Sequence, residues 1–433
     1  MSRKTKIILG VIAVVIALTV ISKLPFDSGG GSGGIPGIGD IVNMITGSTG
    51  GSGSQGDDDG GIDKPDVGQP IGAEDFGDVY LYYYNQLTGA EKNVYESLYR
   101  CAEDGTESAE VTGLDLNSDA GLQKVVNAAE ALFYDHCELF PYCIRNLYYT
   151  ASGNGGHLYL TKYDYWEYSS SFGKYQREFD AKVDSVVAEI ERNCSDDYEK
   201  ALYAHDYLIK NAYYDHAALS EMENDPISYN PKHDMVYTAY GCLVNGRCVC
   251  AGYAAAYKVL LDRLGIPCVY VVGWGDRFRS DVGHAWNRVV IGGRSYYVDV
   301  TWDEFEIYDD DGNQKYPEIA QRDYFNITTA ELERTHKIDD DRFTQPACTS
   351  QDYNYFVYNG YQVDGYDFDK FIRIANAQKE GNSINVRFSD PSDAQRAEKE
   401  FESGGWSRIG RLNSGGFVYL FNDESGCAII ICE

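Results

Sequence analysis

Three residues in the middle of the chain carry groups that together can perform nucleophilic acyl chemistry: Cys250, His284 and Asp299, separated by 34 and 15 residues. A thiol attacks as its thiolate, and an imidazole within reach holds that thiolate as an ion pair and later protonates a leaving amine. A carboxylate on the other ring nitrogen fixes the tautomer and orientation of the imidazole. Taken singly, each has an ordinary structural use: a half-cystine, a core histidine, a strand-end cap. It is the three together that point to catalysis.

The flanking sequence supplies elements to position them. Asn245-Gly246-Arg247 predicts a turn. From Cys250 onward, Ala254, Tyr257, Leu260, Leu261 and Leu264 recur at helical spacing until Gly265 and Pro267 end the run. Cys250 therefore opens a helix, where free backbone N–H groups and the helix dipole favour a thiolate. Three β-rich segments follow, Cys268 to Val272, His284 to Ile291 and Ser295 to Val300, the last two joined at Gly292-Gly293. The spacing predicts His284 and Asp299 on the two strands of one hairpin, with cross-strand contact if their side chains share a face.

The stretches Val249-Cys250-Ala251-Gly252-Tyr253-Ala254, Gly283-His284-Ala285-Trp286-Asn287 and Tyr297-Val298-Asp299-Val300-Thr301-Trp302-Asp303 resemble the transglutaminase-like superfamily of papain-type thiol enzymes, in its bacterial branch. The resemblance implies an α+β fold whose papain-like core packs a nucleophile helix on an antiparallel sheet. It also implies Cys250 as nucleophile, His284 as general acid/base and Asp299 as its orienting partner, with no cofactor. Trp286 and Trp302 read as core aromatics. One departure matters: cross-linking members place Trp directly after the nucleophile, and this chain has Ala251. They also use an upstream Trp at the oxyanion, where this chain offers Tyr213 and Tyr214. Tyr214 is accordingly a candidate to donate its hydroxyl to a tetrahedral intermediate beside the Cys250 N–H; a packed tyrosine is the bland alternative.

Composition limits the rest. The 433 residues predict two or three domains. Sixty-seven acidic against 37 basic residues give a formal charge of −30, which repels phosphate backbones and argues against nucleic-acid binding. Tyrosine is abundant, 37 against 17 Phe, and offers apolar area with a polar tip without naming a ligand. Of eleven cysteines, ten remain beside Cys250, enough for five disulfides in an oxidising compartment. Cys242 with Cys248 and Cys427 with Cys432 are the candidates closest in sequence. No paired CxxC or HExxH spacing is present, so no metal site is expected.

In chain order, Arg3, Lys4 and Lys6 precede an apolar stretch from Ile7 to Ser22, which reads as an export signal, cleaved or retained as a membrane anchor. Residues 1–26 are assigned to it, and the basic flank places the remainder outside the cell. Residues 27–73 are a Gly/Ser/Asp-rich disordered spacer with a random-coil reach of roughly 35–40 Å. Residues 74–170 read as a small α/β region, with a capping box at Thr88 and Glu91, a helix from Leu122 to Phe133, and strands at Asn146 to Thr150 and His157 to Thr161. The transglutaminase-like domain is assigned to 171–343. It is led in by helices Tyr175 to Glu191 and Tyr198 to Asn211, the latter carrying His205 as a core histidine. Arg277 to Asp281 read as a cleft rim, and Asp309-Asp310-Asp311-Gly312-Asn313 as an acidic turn rather than a calcium loop. Arg322-Asp323-Tyr324-Phe325-Asn326, followed by His336, resemble the family's closing element. Residues 350–433 read as a compact α/β appendage, with an extended Phe356 to Tyr358 at its start.

The expectation is therefore an exported, membrane-tethered, thiol-dependent acyl-transfer enzyme acting on amide bonds of peptide or protein substrates, with the cell wall as a candidate surface. Hydrolysis is the favoured outcome. Protein cross-linking and a non-catalytic surface binder on the same fold are the alternatives.

Overall fold

Capping residues start the helices where the local sequence provides them. The computed structural model describes residues 79–106, 108–140, 142–162, 172–224, 235–275, 283–304, 307–308, 314–315 and 319–433. Thr88 and Glu91 form the expected capping box on α1 (Gly89–Asp104), and Ser118 accepts the Gly121 N–H at the start of α2 (Asp119–Asp135). Strands β1 (Ala109–Thr112), β2 (Tyr142–Ala151) and β3 (Gly155–Lys162) make an antiparallel sheet in the order β1-β3-β2. Two amphipathic helices follow, α3 (Phe172–Asn193) and α4 (Asp197–Asn211), with Asp196 capping α4 through the Glu199 N–H at 2.9 Å.

Two-residue strands β4 (Tyr213–Tyr214) and β5 (Arg247–Cys248) pair in parallel, and the short helix α5 (Ala239–Leu243) lies between them in the chain. Helix α6 (Cys250–Arg263) comes next, buried at every residue except Arg263. A helix buried on all sides belongs in the centre of a domain, and α6 sits there. On one side it packs against β6 (Cys268–Trp274) and β7 (Gly283–Ile291), and on the other against α3, α4 and α5. The central sheet is antiparallel throughout, in the order β9 (Phe325–Ile327), β8 (Arg294–Val298), β7, β6, β10 (Lys337–Ile338). Gly292 and Gly293, at φ 60° and 76°, supply the left-handed pair that the two-residue β7–β8 turn requires.

Each face of this sheet has its own apolar layer. Val183, Leu208, Tyr253, Leu260, Val289 and Phe325 belong to the layer shared with the helices. On the opposite face, Val269, Val271, Trp286 and Tyr297 pack with Leu98 of α1 and Leu132 of α2. The N-terminal region thus closes the second face of the sheet. Beyond the turn of helix α7 (Thr329–Leu332), the C-terminal part has a separate core. There α8 (Phe368–Ala377) and α9 (Pro391–Glu402) cover a sheet in the order β11 (Gln362–Val363), β12 (Ser383–Phe388), β14 (Cys427–Cys432), β13 (Phe417–Phe421). It is joined to the central sheet by buried Asp323, which accepts hydrogen bonds from Asn422 at 3.1 Å and Ser425 at 2.6 Å, and by the Arg387–Glu331 ion pair at 3.0 Å.

Several expectations are corrected. Residues Tyr355–Tyr358 form a short helix rather than an extended segment, because Asn354 caps the Phe356 N–H at 3.1 Å. The proposed disulfides are absent among the described residues, where the cysteines are free thiols. Cys427 and Cys432 stand at opposite ends of one strand, roughly 16 Å apart at strand rise, far beyond bridging distance. Against the expected membrane-spanning helix and the single-pass localisation built on it, no helix among the described residues is long and apolar enough to cross a membrane. The stretch Ile7 to Ser22, the 27–73 spacer, the Arg277 to Asp281 rim and the Asp309 to Asn313 turn lie outside the described residues.

Candidate active site

The N-terminus of α6 places Cys250 at the centre of the helical layer, where it is fully buried and a free thiol. Its approach to the preceding chain depends on Gly252. A Cβ there would lie 2.5 Å from the Val236 carbonyl and 2.6 Å from Cys248 Cβ, so only glycine lets the first turn of α6 pack this closely. Asn287 of β7 donates to the Ala254 carbonyl at 2.9 Å, and Tyr253 donates to buried Glu304 at 2.9 Å. These bonds pin the helix start to the sheet.

His284 lies at the beginning of β7 and Asp299 one residue beyond the end of β8. The hairpin register pairs Asn287 with Val298, so His284 and Asp299 are not cross-strand partners, contrary to expectation. They meet because the chain turns away at Asp299: its backbone N–H donates to the Tyr324 carbonyl at 3.1 Å, and its Oδ1 accepts the N–H groups of Thr301 at 3.0 Å and Trp302 at 3.2 Å. The carboxylate is thereby aimed back at His284, with Oδ2 2.6 Å from Nε2. The buried Nδ1 makes no hydrogen bond of normal geometry, and the Cys250 thiol interacts with the ring. With Nε2 engaged by Asp299, Nδ1 is the nitrogen left for the thiol.

The electrostatics follow from burial and charge. Burial alone pushes the His284 imidazole down, but the Asp299 carboxylate outweighs it and raises the pKa to about 10. Burial pushes the Asp299 carboxyl up, yet His284 and a second imidazole, His336, hold it well below the usual carboxylate range. At neutral pH the pair is an imidazolium and a carboxylate. Cys250, His284 and Asp299 are all buried.

His336 carries a part of the site that sequence reading left without a role. It follows α7, and its Nε2 is 3.1 Å from the same Asp299 Oδ2, with Nδ1 2.8 Å from Thr335 Oγ1. Burial lowers its pKa below the ordinary histidine value, so it is neutral where His284 is charged. His284, Asp299 and His336 are the one group of described residues whose metal-donor atoms converge, all within 4.8 Å. The 2.6 Å between Nε2 and Oδ2 is a hydrogen-bond length, shorter than the roughly 3 Å or more that two donors keep around a shared ion. The arrangement is a hydrogen-bond chain.

The remaining candidates fall as follows. Tyr214 is buried on β4, in register with Cys248, and its ring centroid lies 4.8 Å from that of His216. His205 is a core histidine, with Nδ1 2.9 Å from Asp206 and Nε2 3.0 Å from Asp303. Trp286 is buried, and Trp302 packs on His336 at a centroid distance of 4.3 Å, so both wall the histidines.

Residues 184–302 match the family model of the transglutaminase-like superfamily. Human kyphoscoliosis peptidase is 26% identical over 128 residues, which is 28% of this chain and 18% of the human protein. The chain thus matches less than a fifth of that relative's length. One similar solved structure, described as a TGase, has a TM-score of 0.25 and 15% identity, covering 41% of this chain and 48% of that one. Another, a candidate cysteine protease from Cytophaga hutchinsonii, has a TM-score of 0.22 and 18% identity over 34% of this chain and 51% of that one. Scores this low add nothing about the chemistry.

Proposed function

We propose, from the premise that residues 184–302 form a transglutaminase-like domain, that the chain is a thiol-dependent acyl-transfer enzyme acting hydrolytically on amide bonds of peptide or protein substrates. The observation that carries this reading is the free Cys250 thiol at a helix N-terminus, against an imidazole whose far nitrogen lies 2.6 Å from a buried carboxylate.

In this reading the Cys250 thiolate attacks the amide carbonyl, and the oxyanion is met by the Cys250 N–H with the Tyr214 hydroxyl as second donor. The His284 imidazolium gives its proton to the departing amine as the C–N bond breaks, leaving a thioester and a neutral imidazole. The imidazole then takes a proton from water as its oxygen attacks the thioester, and collapse releases the carboxylic acid and restores the thiolate–imidazolium pair. Asp299 stays ionised throughout and holds the ring in place. Water as acceptor is favoured because Ala251 stands where cross-linking members carry Trp.

The reading is tested by incubating the chain with a denatured protein mixture in heavy-oxygen water containing a fluorescent primary amine. New carboxyl termini carrying heavy oxygen, absent with Cys250→Ala, are expected. Incorporation of the amine at glutamine instead would make it a cross-linking enzyme. No Cys250-dependent product of either kind would leave a non-catalytic binder.

A further inference from the structure

Asp299 Oδ2 is shared between two imidazoles. His284 reaches it from β7, and His336 from the segment between α7 and β10. The His336 ring is fully enclosed, with Trp302 at 4.3 Å, Trp286 at 5.1 Å and Tyr324 at 5.4 Å between centroids. Its other nitrogen is held by Thr335, whose hydroxyl is 3.2 Å from Tyr324 OH. The titratable groups facing it are therefore Asp299 from the end of β8, His284 from β7 and Tyr324 from the segment before β9. An ionised carboxylate only accepts, so the proton of a neutral ring sits on Nε2 and points at Asp299 Oδ2, which leaves Nδ1 as the acceptor facing the Thr335 hydroxyl, itself 3.3 Å from the Leu332 carbonyl.

We propose that His336 is a positioning residue for the acyl-transfer centre: as a neutral imidazole it donates Nε2–H to the Asp299 oxygen that also holds His284, which orients the carboxylate and tempers its grip on the imidazolium. This rests on the hydrolytic thiol reading above. A carboxylate with a single imidazole partner would hold the His284 proton more tightly, and the leaving amine would receive it less readily. A second donor on Oδ2 competes for the same lone-pair density. It also prevents the carboxylate from swinging away when His284 loses its charge in the thioester step. Thr335 acts one step further out by fixing the tautomer.

The test compares the full chain with His336→Phe, which keeps an aromatic ring and removes the donor, and His336→Gln, which keeps an N–H donor. Two quantities are read: the titration of His284 by NMR of carbon-13-labelled imidazoles, assigned with His284→Gln, and the rate of Cys250 alkylation at neutral pH. His336→Phe is expected to move the His284 midpoint upward by about one to two pH units, the scale of one hydrogen bond to a charged group, and, because the carboxylate that aims the ring at the thiol is no longer held, to slow alkylation. His336→Gln is expected to restore both towards the parent. Thr335→Val, which leaves the ring in place, is expected to give a smaller upward shift, and it carries the test should His336→Phe not fold. Parental midpoints in His336→Phe and Thr335→Val, or equal impairment in His336→Gln and His336→Phe, would overturn the proposal. A parent whose Cys250 reacts no faster than an ordinary thiol would overturn the hydrolytic reading instead, while the His284 titration would still report the Asp299–His336 bond.

Discussion

Asp299 accepts four hydrogen bonds, two from backbone N–H groups and two from imidazoles, which uses the full acceptor capacity of a carboxylate. Its ionised state is therefore part of the fold as well as of the proposed chemistry, and the pH dependence has a definite sign. The Asp299 pKa is depressed on folding, so its contribution is present above the unfolded value of about 4 and is lost as pH falls below it. The His284 pKa is raised, so its contribution is complete below about 6.5 and is lost as pH rises through about 10. The stability difference between the parent and Asp299→Asn is thus expected to be greatest from about pH 4 to 6.5, at about 3 kcal/mol. It should shrink on either side, as measured by urea unfolding across pH. A difference independent of pH would show that the two groups are not an ion pair. Asp299→Asn is also expected to lower turnover by about 10³–10⁴-fold. Tyr214→Phe separates the two readings of that residue: a loss of about 10²-fold in turnover supports an oxyanion donor, and unchanged turnover leaves a packed tyrosine.

At the scale of elements, α6 carries a buried charge about two turns beyond Cys250. Lys258 is fully enclosed and bonds Asp262 Oδ2 at 2.8 Å, the Cys268 carbonyl at 2.9 Å and the Tyr80 carbonyl at 3.4 Å. Nearby Asp135, at the end of α2, accepts the N–H groups of Tyr83 and Tyr84 at 3.0 and 2.8 Å. Burial, only partly offset by Lys258, raises Asp135 to about 6 and Asp262 to about 7. Lys258→Met would leave Asp262 without its cation and is expected to cost about 3–5 kcal/mol. Adding Asp262→Leu should return much of that in urea unfolding; failure to recover would point to packing loss instead. Apart from Asp262 one helical turn on, this seam was invisible in the sequence, because the other Lys258 partners lie 178 residues away at Tyr80 and 10 away at Cys268. The α6 boundary, the β6–β7–β8 segments and the capping box at Thr88 were legible, since each depends on residues within a few positions. The placement of Asp299 beyond β8, and its second partner 37 residues on at His336, depend on tertiary turns that no local pattern records.

Taken as a whole, the molecule is organised around one antiparallel sheet enclosed on both faces, with the C-terminal part docked at Asp323 and Glu331. Glu331 also closes the capping box of α7 with Thr328, and α7 leads directly to Thr335 and His336. The docking contact and the far side of the site therefore share one short helix. Arg387→Ala removes a nearly buried cation from Glu331, and is expected to cost about 3 kcal/mol and to slow Cys250 chemistry modestly. Thermal unfolding and an alkylation rate check the two effects, and destabilisation without any change in rate would show that the docking contact is structural alone.

The central claim is that His284 activates the Cys250 thiol. The most direct measurement is the rate of iodoacetamide labelling against pH, with each modified site assigned by mass spectrometry, for the parent and His284→Ala. Accessibility alone predicts that Cys194 and Cys432, both only partly buried, react ahead of the enclosed Cys250. Activation predicts that Cys250 reacts first, well below the ordinary thiol pKa of about 8.5, and that His284→Ala abolishes its lead. Labelling of Cys194 or Cys432 ahead of Cys250 at every pH, or a Cys250 rate indifferent to His284→Ala, would contradict the account.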